Sequence, residues 1–365
     1  MRIEARPRER LSASADALVT VAAVAAAMAI GAIAMAAAGM QPWRAYAAIV
    51  RAAFLGGAFS WSDTAVKAIP LILCSAGCVL AFRAGLWNVG AEGQLLLGAW
   101  AATGVASFWT PPGLSAWIKI PLLVAAGGAA GAFWGAIPGI LKERYKVSEI
   151  LSSLMLVYVA VQWNTYWIYA VWSEGGFQLT PLFPENAWLP RISDLAGRFP
   201  SLAGLTVHAG IFVALGVAAL LGILTQWSKW GVAWRAMGDN PGAAKAAGMN
   251  IAAQTVLAMA LSGAAAGVAG AVEVSGVVHR LQERFSPGFG FMAITIGWLA
   301  RLNPWAAIVV SVLFGGLLVG SREVGSQGIS NLLQGIILIA VIMSEWFRRN
   351  RVTIKWGGRA KGAAE

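Results

Sequence analysis

The chain has 365 residues and a net charge of +11, yet only 12% of its residues are charged while 58% are hydrophobic. Its mean hydropathy is +0.69. Because an ordinary soluble domain carries about a quarter charged residues, this composition excludes a soluble globular protein. It indicates a single polytopic helical membrane domain.

Apolar segments recur along the whole chain, and each is a candidate membrane crossing because a bilayer core needs about 20 apolar residues per helix. They are 17–39, 64–82, 94–109, 117–141, 148–172, 205–227, 253–276, 289–301, 304–320 and 329–347. The sequence therefore predicts an all-α protein with about ten transmembrane segments. Two of these segments, 94–109 and 289–301, are short and are expected to be re-entrant or tilted. The first segment lacks the cleavage site of a signal peptide, so we expect it to be retained.

The basic residues are concentrated beside apolar segments, in 2–10, 142–146, 229–245 and 348–361. This is the positive-inside pattern of membrane proteins rather than a nucleic-acid-binding patch. We therefore expect a multi-pass protein of the bacterial inner membrane with both termini in the cytoplasm and a tail held near anionic membrane lipid. The expected organisation is a basic cytoplasmic N-terminus over 1–16, one transmembrane domain over 17–347 with a periplasmic loop at 173–204 and a cytoplasmic loop at 228–250, and a basic cytoplasmic tail over 348–365.

A polar break interrupts the apolar pattern at 83–94, where Asn88, Glu92 and Gln94 stand among three glycines. Polar groups at membrane depth are costly unless they face protein or a water-filled path. Irregular backbone is tolerated there only where it is buried or lines a cavity. The stretch therefore predicts a broken or re-entrant element beside a polar pathway. Glu92 is either a pathway group or, as we favour, a carboxylate capping the helix that starts near Gly93, and the two amides are expected to hold the broken backbone.

Two further places offer candidate pathway residues. Asn164 and Gln162 stand among aromatic residues that include Trp167, and amides beside aromatic faces suit a ribose or a base. The alternative is an aromatic belt at the membrane interface. Glu273 lies in an apolar run, where a carboxylate needs a partner; we expect it to pair with Arg280 or with a neighbouring helix.

Several classes of site are not supported by the sequence. There is no Gly-x-x-x-x-Gly-Lys-Ser/Thr phosphate loop, so the chain is not expected to hydrolyse ATP itself. The two histidines are far apart and no cluster at catalytic spacing exists, which argues against an enzyme. Cys74 and Cys78 lack further ligands for a metal and are interpreted as packing residues. No cofactor or metal is expected to be bound by this chain.

Glycines at four-residue spacing occur in two of the apolar segments. This spacing permits close approach of neighbouring helices. The residues are Gly127, Gly131 and Gly135 in one segment, and Gly263 and Gly267 in the other.

The cytoplasmic loop contains signals for a short helix. Asn240 is a good N-cap, Pro241 suits the first helical position, and Gly248 is a suitable C-terminal stop. Between them lies an alanine-rich stretch, so the sequence predicts a helix of about two turns. Such a short helix is marginal in water and should dock. Its partner is either the inner face of this protein or a cytoplasmic protein.

The chain resembles the permease subunits of ATP-binding-cassette (ABC) importers, in the branch that groups simple-sugar, nucleoside and branched-chain amino-acid permeases. Three stretches carry the resemblance, 82–94, 234–248 and 286–304, and their order covers the chain from about 60 to 347. The Asn-Val-Gly-Ala-Glu-Gly-Gln form of 88–94 is similar to the subgroup that handles nucleosides and simple sugars.

The resemblance implies a transport function and a set of partners. It implies a pore made with a second permease chain, identical or different, and ATP bound by separate cytoplasmic ATPase subunits. A periplasmic or lipid-anchored solute-binding protein would deliver the nucleoside or sugar. The loop at 234–248 would couple to the ATPase through Arg235, Asp239, Asn240, Pro241, Lys245 and Gly248. The alternative function is a stand-alone secondary transporter or channel for a small polar solute.

Overall fold

A computed structural model describes residues 2–7, 13–177, 179–323 and 350–355, together with 328, 331–333, 335–337, 339, 340, 343 and 344. The described residues form two compact units, one within 1–45 and 328–365 and the other within 46–327. The smaller unit contains strand β1 (Arg2–Pro7), helix α1 (Ala13–Ala37) and strand β2 (Asn350–Lys355). The strands pair antiparallel, with Arg2 opposite Lys355.

The larger unit is helical. Its helices are α2 (Pro42–Val50, of which residues 42–45 belong to the smaller unit), α3 (Ala58–Arg83), α4 (Ala91–Thr103), α5 (Ala116–Tyr145), α6 (Glu149–Tyr166), α7 (Gly210–Trp227), α8 (Lys229–Asp239), α9 (Pro241–Ala246), α10 (Ile251–Glu273), α11 (Phe289–Leu299) and α12 (Pro304–Glu323). Four π-helical turns occur at Arg51–Leu55, Gly104–Phe108, Trp167–Val171 and Val274–Val278, and 3-10 turns at Glu185–Ala187, Ile192–Leu195 and Pro200–Leu202. The predicted all-α membrane class is confirmed, with the short β1–β2 pair of the smaller unit as a departure from it.

Among the described residues, five helices are long and apolar enough to cross a membrane, or six if the broken pair formed by Val21–Ala37 and Pro42–Leu55 counts as one span. The five are Ala58–Arg83, Ala116–Tyr145, Gly210–Trp227, Ile251–Val278 and Pro304–Glu323. The two segments predicted to be short lie on α4 and α11, which have 13 and 11 residues. The count of ten crossings stays a prediction, and most of its last segment, 329–347, lies outside the described residues.

In the larger unit, α5 packs closely against α10. The glycines predicted for close contact meet there: a Cβ on Gly131 would collide with the carbonyl of Gly263, and a Cβ on Gly267 with the carbonyl of Gly127. Gly135 completes the seam, since its added Cβ would lie 3.1 Å from the Cα of Gly263. Backbones can approach this closely only where both residues lack side chains. The four-residue spacing therefore marks a real helix–helix contact.

Candidate functional site

The two short helices α4 and α11 begin at the same place. The Oε2 atom of Glu92 in the first turn of α4 accepts a 2.7 Å hydrogen bond from the backbone N–H of Gly290 in the first turn of α11. A Cβ on Gly290 would collide with the backbone nitrogen of Glu92, so glycine allows this approach. The Ser286 hydroxyl accepts hydrogen bonds from the N–H groups of Gly288 (3.2 Å) and Phe289 (3.3 Å). Glu92 is thus a capping carboxylate, but it caps the other helix rather than its own.

Asn88 and Gln94 hold the break between α3 and α4. The Asn88 amide donates to Gln94 Oε1 and to Ser262 Oγ, both at 2.8 Å, while its oxygen accepts from the Gly90 N–H at 3.1 Å and from Gln94 Nε2 at 3.0 Å. Both side chains are buried. Because these amide groups are committed to one another and to the backbone, they stabilise the irregular segment and are not free to bind a solute.

A cavity of about 630 Å³ lies beside this junction. Its lining includes Glu92, Gln162, Asn164, Thr165 and Phe291, together with the segment 282–288. Asn164 is 5% exposed, and its Nδ2 donates to the Leu96 carbonyl at 3.1 Å, but its Oδ1 has no hydrogen-bond partner. A buried acceptor without a partner costs free energy unless a ligand or water supplies a donor. The structure thus places Glu92 and the amides of α6 in the lining of one cavity. The sequence identifies these residues as candidates but does not predict that they lie together.

Trp167 does not line that cavity. It packs in an aromatic cluster, with ring centroids 4.6 Å from Trp172, 5.4 Å from Trp100 and 6.0 Å from Trp163. Its indole nitrogen is buried without a partner. A contact between Trp167 and solute stays a prediction.

Glu273 is paired with a neighbouring helix, one of the two predicted arrangements. Lys67 Nζ of α3 lies 3.2 Å from Glu273 Oε1, and the Glu273 side chain is 1% exposed. Arg280 instead faces Glu174, 3.9 Å away. Sequence reasoning missed Lys67, although it is the single charged residue in the apolar run 64–82 and a lysine there needs a counter-charge. Lys67 also lines a second cavity, of about 440 Å³, together with Arg322.

The segment 173–204 folds over the end of α10. The Thr180 N–H donates to the Leu281 carbonyl at 2.9 Å, and the Leu189 N–H to the Ser275 carbonyl at 3.1 Å. The Trp188 ring stacks on His279 with centroids 4.1 Å apart. This loop is therefore an ordered cover over the helix end rather than a loose connection.

Two histidines under this cover are kept neutral. Burial, with Arg191 nearby, lowers the pKa of both His208 and His279 to about 4. Arg191 Nη2 lies 2.7 Å from His279 Nε2, and because a guanidinium can only donate, the neutral imidazole accepts. His208 Nδ1 accepts from the Gly210 N–H at 3.2 Å. In the part of the chain that the structure describes, no group of three or more His, Cys, Asp or Glu residues is arranged to hold a metal ion.

The loop between α7 and α10 contains the predicted short helix. It is α9, and Asn240 Oδ1 caps it by accepting from the Ala243 N–H at 3.0 Å. Pro241 stands at its first position, and Gly248 follows with φ = +82°, a left-handed value that favours glycine. The local prediction is confirmed.

The two helices of this loop differ in how they dock. The preceding helix, α8, buries Trp234 and Met237 against the bundle. α9 buries only Ala244. The residues that the resemblance assigned to coupling are all exposed: Arg235, Asp239, Asn240, Pro241, Lys245 and Gly248. α8 therefore docks on this protein, while most of α9 is left open.

Comparison with known proteins matches most of the chain. A model of the family described as "Branched-chain amino acid transport system / permease component" matches residues 60–342. The chain is 34% identical to the glucose ABC transporter permease protein TsgB13 of Haloferax volcanii, over 93% of this chain and 90% of that protein. It is 32% identical to the guanosine ABC transporter permease protein NupP of Bacillus subtilis, over 89% of this chain and 92% of that one. No solved structure matches the chain.

Proposed function

Because the chain belongs to the family of permease components of branched-chain amino acid transport systems, we propose that this ABC importer permease carries a neutral, hydroxylated solute, either a nucleoside or a simple sugar. The observation that carries the solute class is the cavity of about 630 Å³ lined by Glu92 and by Asn164, whose buried Oδ1 has no hydrogen-bond partner. These are acceptors, and sugar hydroxyls supply donors. The relatives named for glucose and guanosine support the same class.

The charges around the cavity argue against an amino-acid solute. Glu92 and Glu283 line it, while the cation of the lining, Arg284, has a side chain that is 91% exposed. A solute carboxylate would therefore lose its hydration with little compensation, because Arg284 is exposed and already lies 4.0 Å from Glu283. A hydroxylated neutral solute avoids that cost and can still lay a face against Tyr158 or Phe291.

The energy source is proposed to be a separate cytoplasmic ATPase that binds the exposed face of α9. A helix of 6 residues that buries one of them is too short to be stable by itself. We therefore infer that α9, although capped, is stabilised by docking on a partner. Two ATPase subunits, a second permease chain and a periplasmic or lipid-anchored solute-binding protein complete the proposed importer. This chain itself holds no cofactor.

The membrane orientation follows from the same proposal. Both termini lie on the cytoplasmic side of the inner membrane, together with residues 142–146 and 228–250. Residues 173–204 lie on the periplasmic side. Cysteine placed at Lys245 in a Cys74→Ser, Cys78→Ser background should be labelled only from the cytoplasmic side. Labelling by an impermeant reagent added outside would overturn this orientation.

Transport by the reconstituted complex tests the function. The chain is co-expressed with its ATPase, reconstituted with the binding protein, and assayed for uptake of glucose, guanosine, fructose and leucine. We expect ATP-dependent uptake of a hydroxylated solute and none of leucine. Uptake of leucine alone would overturn the solute class. Uptake that needs no ATPase and follows an ion gradient would instead support the stand-alone transporter.

A pair of variants on α6 tests the cavity. Asn164→Ala removes the unpartnered acceptor and should reduce uptake. Thr165→Val on the same helix is the matched control, because the Thr165 hydroxyl already donates to the Val161 carbonyl at 3.0 Å. If Asn164→Ala takes up solute as well as Thr165→Val and the parent do, transport does not depend on Asn164.

A further inference from the structure

Helix α8 touches the end of α3 backbone to backbone. A Cβ on Gly238 of α8 would collide with the carbonyl oxygen of Arg83 and would lie 3.1 Å from the Gly85 nitrogen. A Cβ on Gly85 would lie 3.1 Å from the Gly238 Cα. We call this pair the glycine contact. No side chain of either residue separates the two backbones, so a movement of α8 is not absorbed by a rotamer change.

The α3 side of the glycine contact is a stiff turn. The Leu86 N–H donates to the Ala81 carbonyl and the Gly85 N–H to the Phe82 carbonyl, both at 3.0 Å. This is the Schellman pattern of helix termination, and it requires the left-handed φ of +71° at Gly85. Displacing the turn therefore displaces it as a unit.

The same turn is attached to both helices that meet at the cavity. It leads through the Asn88 amide network into α4, whose first turn contains Glu92. Arg83 Nε donates to the Leu302 carbonyl at 2.7 Å, just beyond the end of α11. The start of α11 is bonded to Glu92 through the Gly290 N–H. One turn thus holds the start of α4 and the end of α11, and Glu92 in the first turn of α4 is bonded to the start of α11.

We propose that the glycine contact transmits movement of α8 and α9 to the cavity, and that Gly85 and Gly238 are the positioning residues for this step. The inference rests on the proposed function, because it takes the ATPase as the source of the movement. Coupling of this kind is a free energy shared between two sites. A variant with an altered glycine contact should therefore still bind the ATPase. The cavity of that variant should no longer change in response to the ATPase.

The test measures how accessible the cavity is to a labelling reagent, so the solute does not have to be known. In a Cys74→Ser, Cys78→Ser background, Thr165→Cys places a thiol on the cavity wall, and a maleimide reports its labelling rate in the permease–ATPase complex. The rate is measured without nucleotide and after trapping with ATP and vanadate. In the parent the two rates should differ by about fivefold or more, the lower end of typical coupling factors.

Gly238→Ala and Gly85→Ala are each added to this reporter, with Gly216→Ala as the control. An added Cβ at Gly216 of α7 meets nothing within 4 Å. Both contact variants should still co-purify the ATPase and should bring the ratio of the two labelling rates close to unity, while the control keeps the parent ratio. General loss of structure would instead lower ATPase co-purification and the thermal stability of the complex.

Other results would contradict either the transmission role of the glycine contact or the proposed function. A parent ratio in contact variants that retain the ATPase overturns the transmission role, as does a parent whose labelling does not respond to ATP. If Gly238→Ala does not insert into the membrane, Gly85→Ala decides, because its Cβ needs only a few tenths of an ångström of adjustment in addition to the backbone strain that a φ of +71° imposes on alanine. Failure of the parent and of Gly216→Ala to bind any ATPase would overturn the proposed function itself.

Discussion

The ion pair between Lys67 and Glu273 should be structural, and removing one partner should be much worse than removing both. In Lys67→Met, Glu273 stays buried at 1% exposure after losing the cation 3.2 Å away. Breaking a buried pair from one side costs about 3–5 kcal/mol, because the remaining charge loses its bonded partner. Since the Lys67 side chain is 15% exposed, we expect the lower end of that range.

Thermal unfolding of the purified chain in detergent measures this cost. At about 2 °C per kcal/mol for a domain of this size, Lys67→Met should lower the midpoint by about 6 °C. The double variant Lys67→Met, Glu273→Leu removes both charges and should recover most of the loss. Arg280→Met is the matched control: its pair with Glu174 is exposed and long, at 3.9 Å, and should contribute less than about 1 kcal/mol.

Two results would refute this reasoning. One is a Lys67→Met variant that unfolds at the same temperature as Arg280→Met. The other is a double variant that is as unstable as the single one. A double variant with native stability but no uptake would show that one of the two charges acts in transport.

Three other changes have definite expected results. Gly90→Leu should abolish uptake, because even a Cβ at this position would lie 2.9 Å from the Ser153 Cβ; normal uptake would mean that the break is loosely packed. Asn240→Ala combined with Ala244→Pro should leave membrane insertion intact but reduce ATPase co-purification and uptake, since the cap and the helix are lost together; full yield and uptake would exclude coupling through α9. Because the pKa values of His208 and His279 are about 4 in the folded chain and 6.5 otherwise, the unfolded state binds more protons between these values, and the unfolding free energy should fall as the pH drops from 6.5 towards 4. Unfolding midpoints across this range check the slope, which His279→Gln should flatten.

The features predicted correctly from the sequence are those fixed by neighbours in the chain. The Asn240 cap needs only an N–H three residues later. The glycine spacing in α5 and α10 needs only the helical period. The resemblance read from 82–94 and 234–248 is of the same kind, since it rests on short contiguous stretches, and the match to the permease family over 60–342 confirms it.

The partners of the polar groups could not be predicted in the same way. Sequence reasoning establishes that Glu92 and Glu273 each need a partner, because the cost of burying a carboxylate does not depend on the fold. The partners, Gly290 and Lys67, are 198 and 206 residues away along the chain. The donor comes from one of many distant groups, and the packing of the helices decides which. Local patterns in the sequence do not give that packing.

The meeting of α4 and α11 at Glu92 also bears on the kind of solute. A helix N-terminus acts as about half a positive charge, so two of them together present about one. The single carboxylate of Glu92, bonded to the Gly290 N–H at 2.7 Å, balances that charge locally. Without it, the junction would be an anion site of the sort found where half-helices face a transporter pathway. With it, the junction presents no net positive charge to the cavity, which disfavours binding of a carboxylate or a phosphate there.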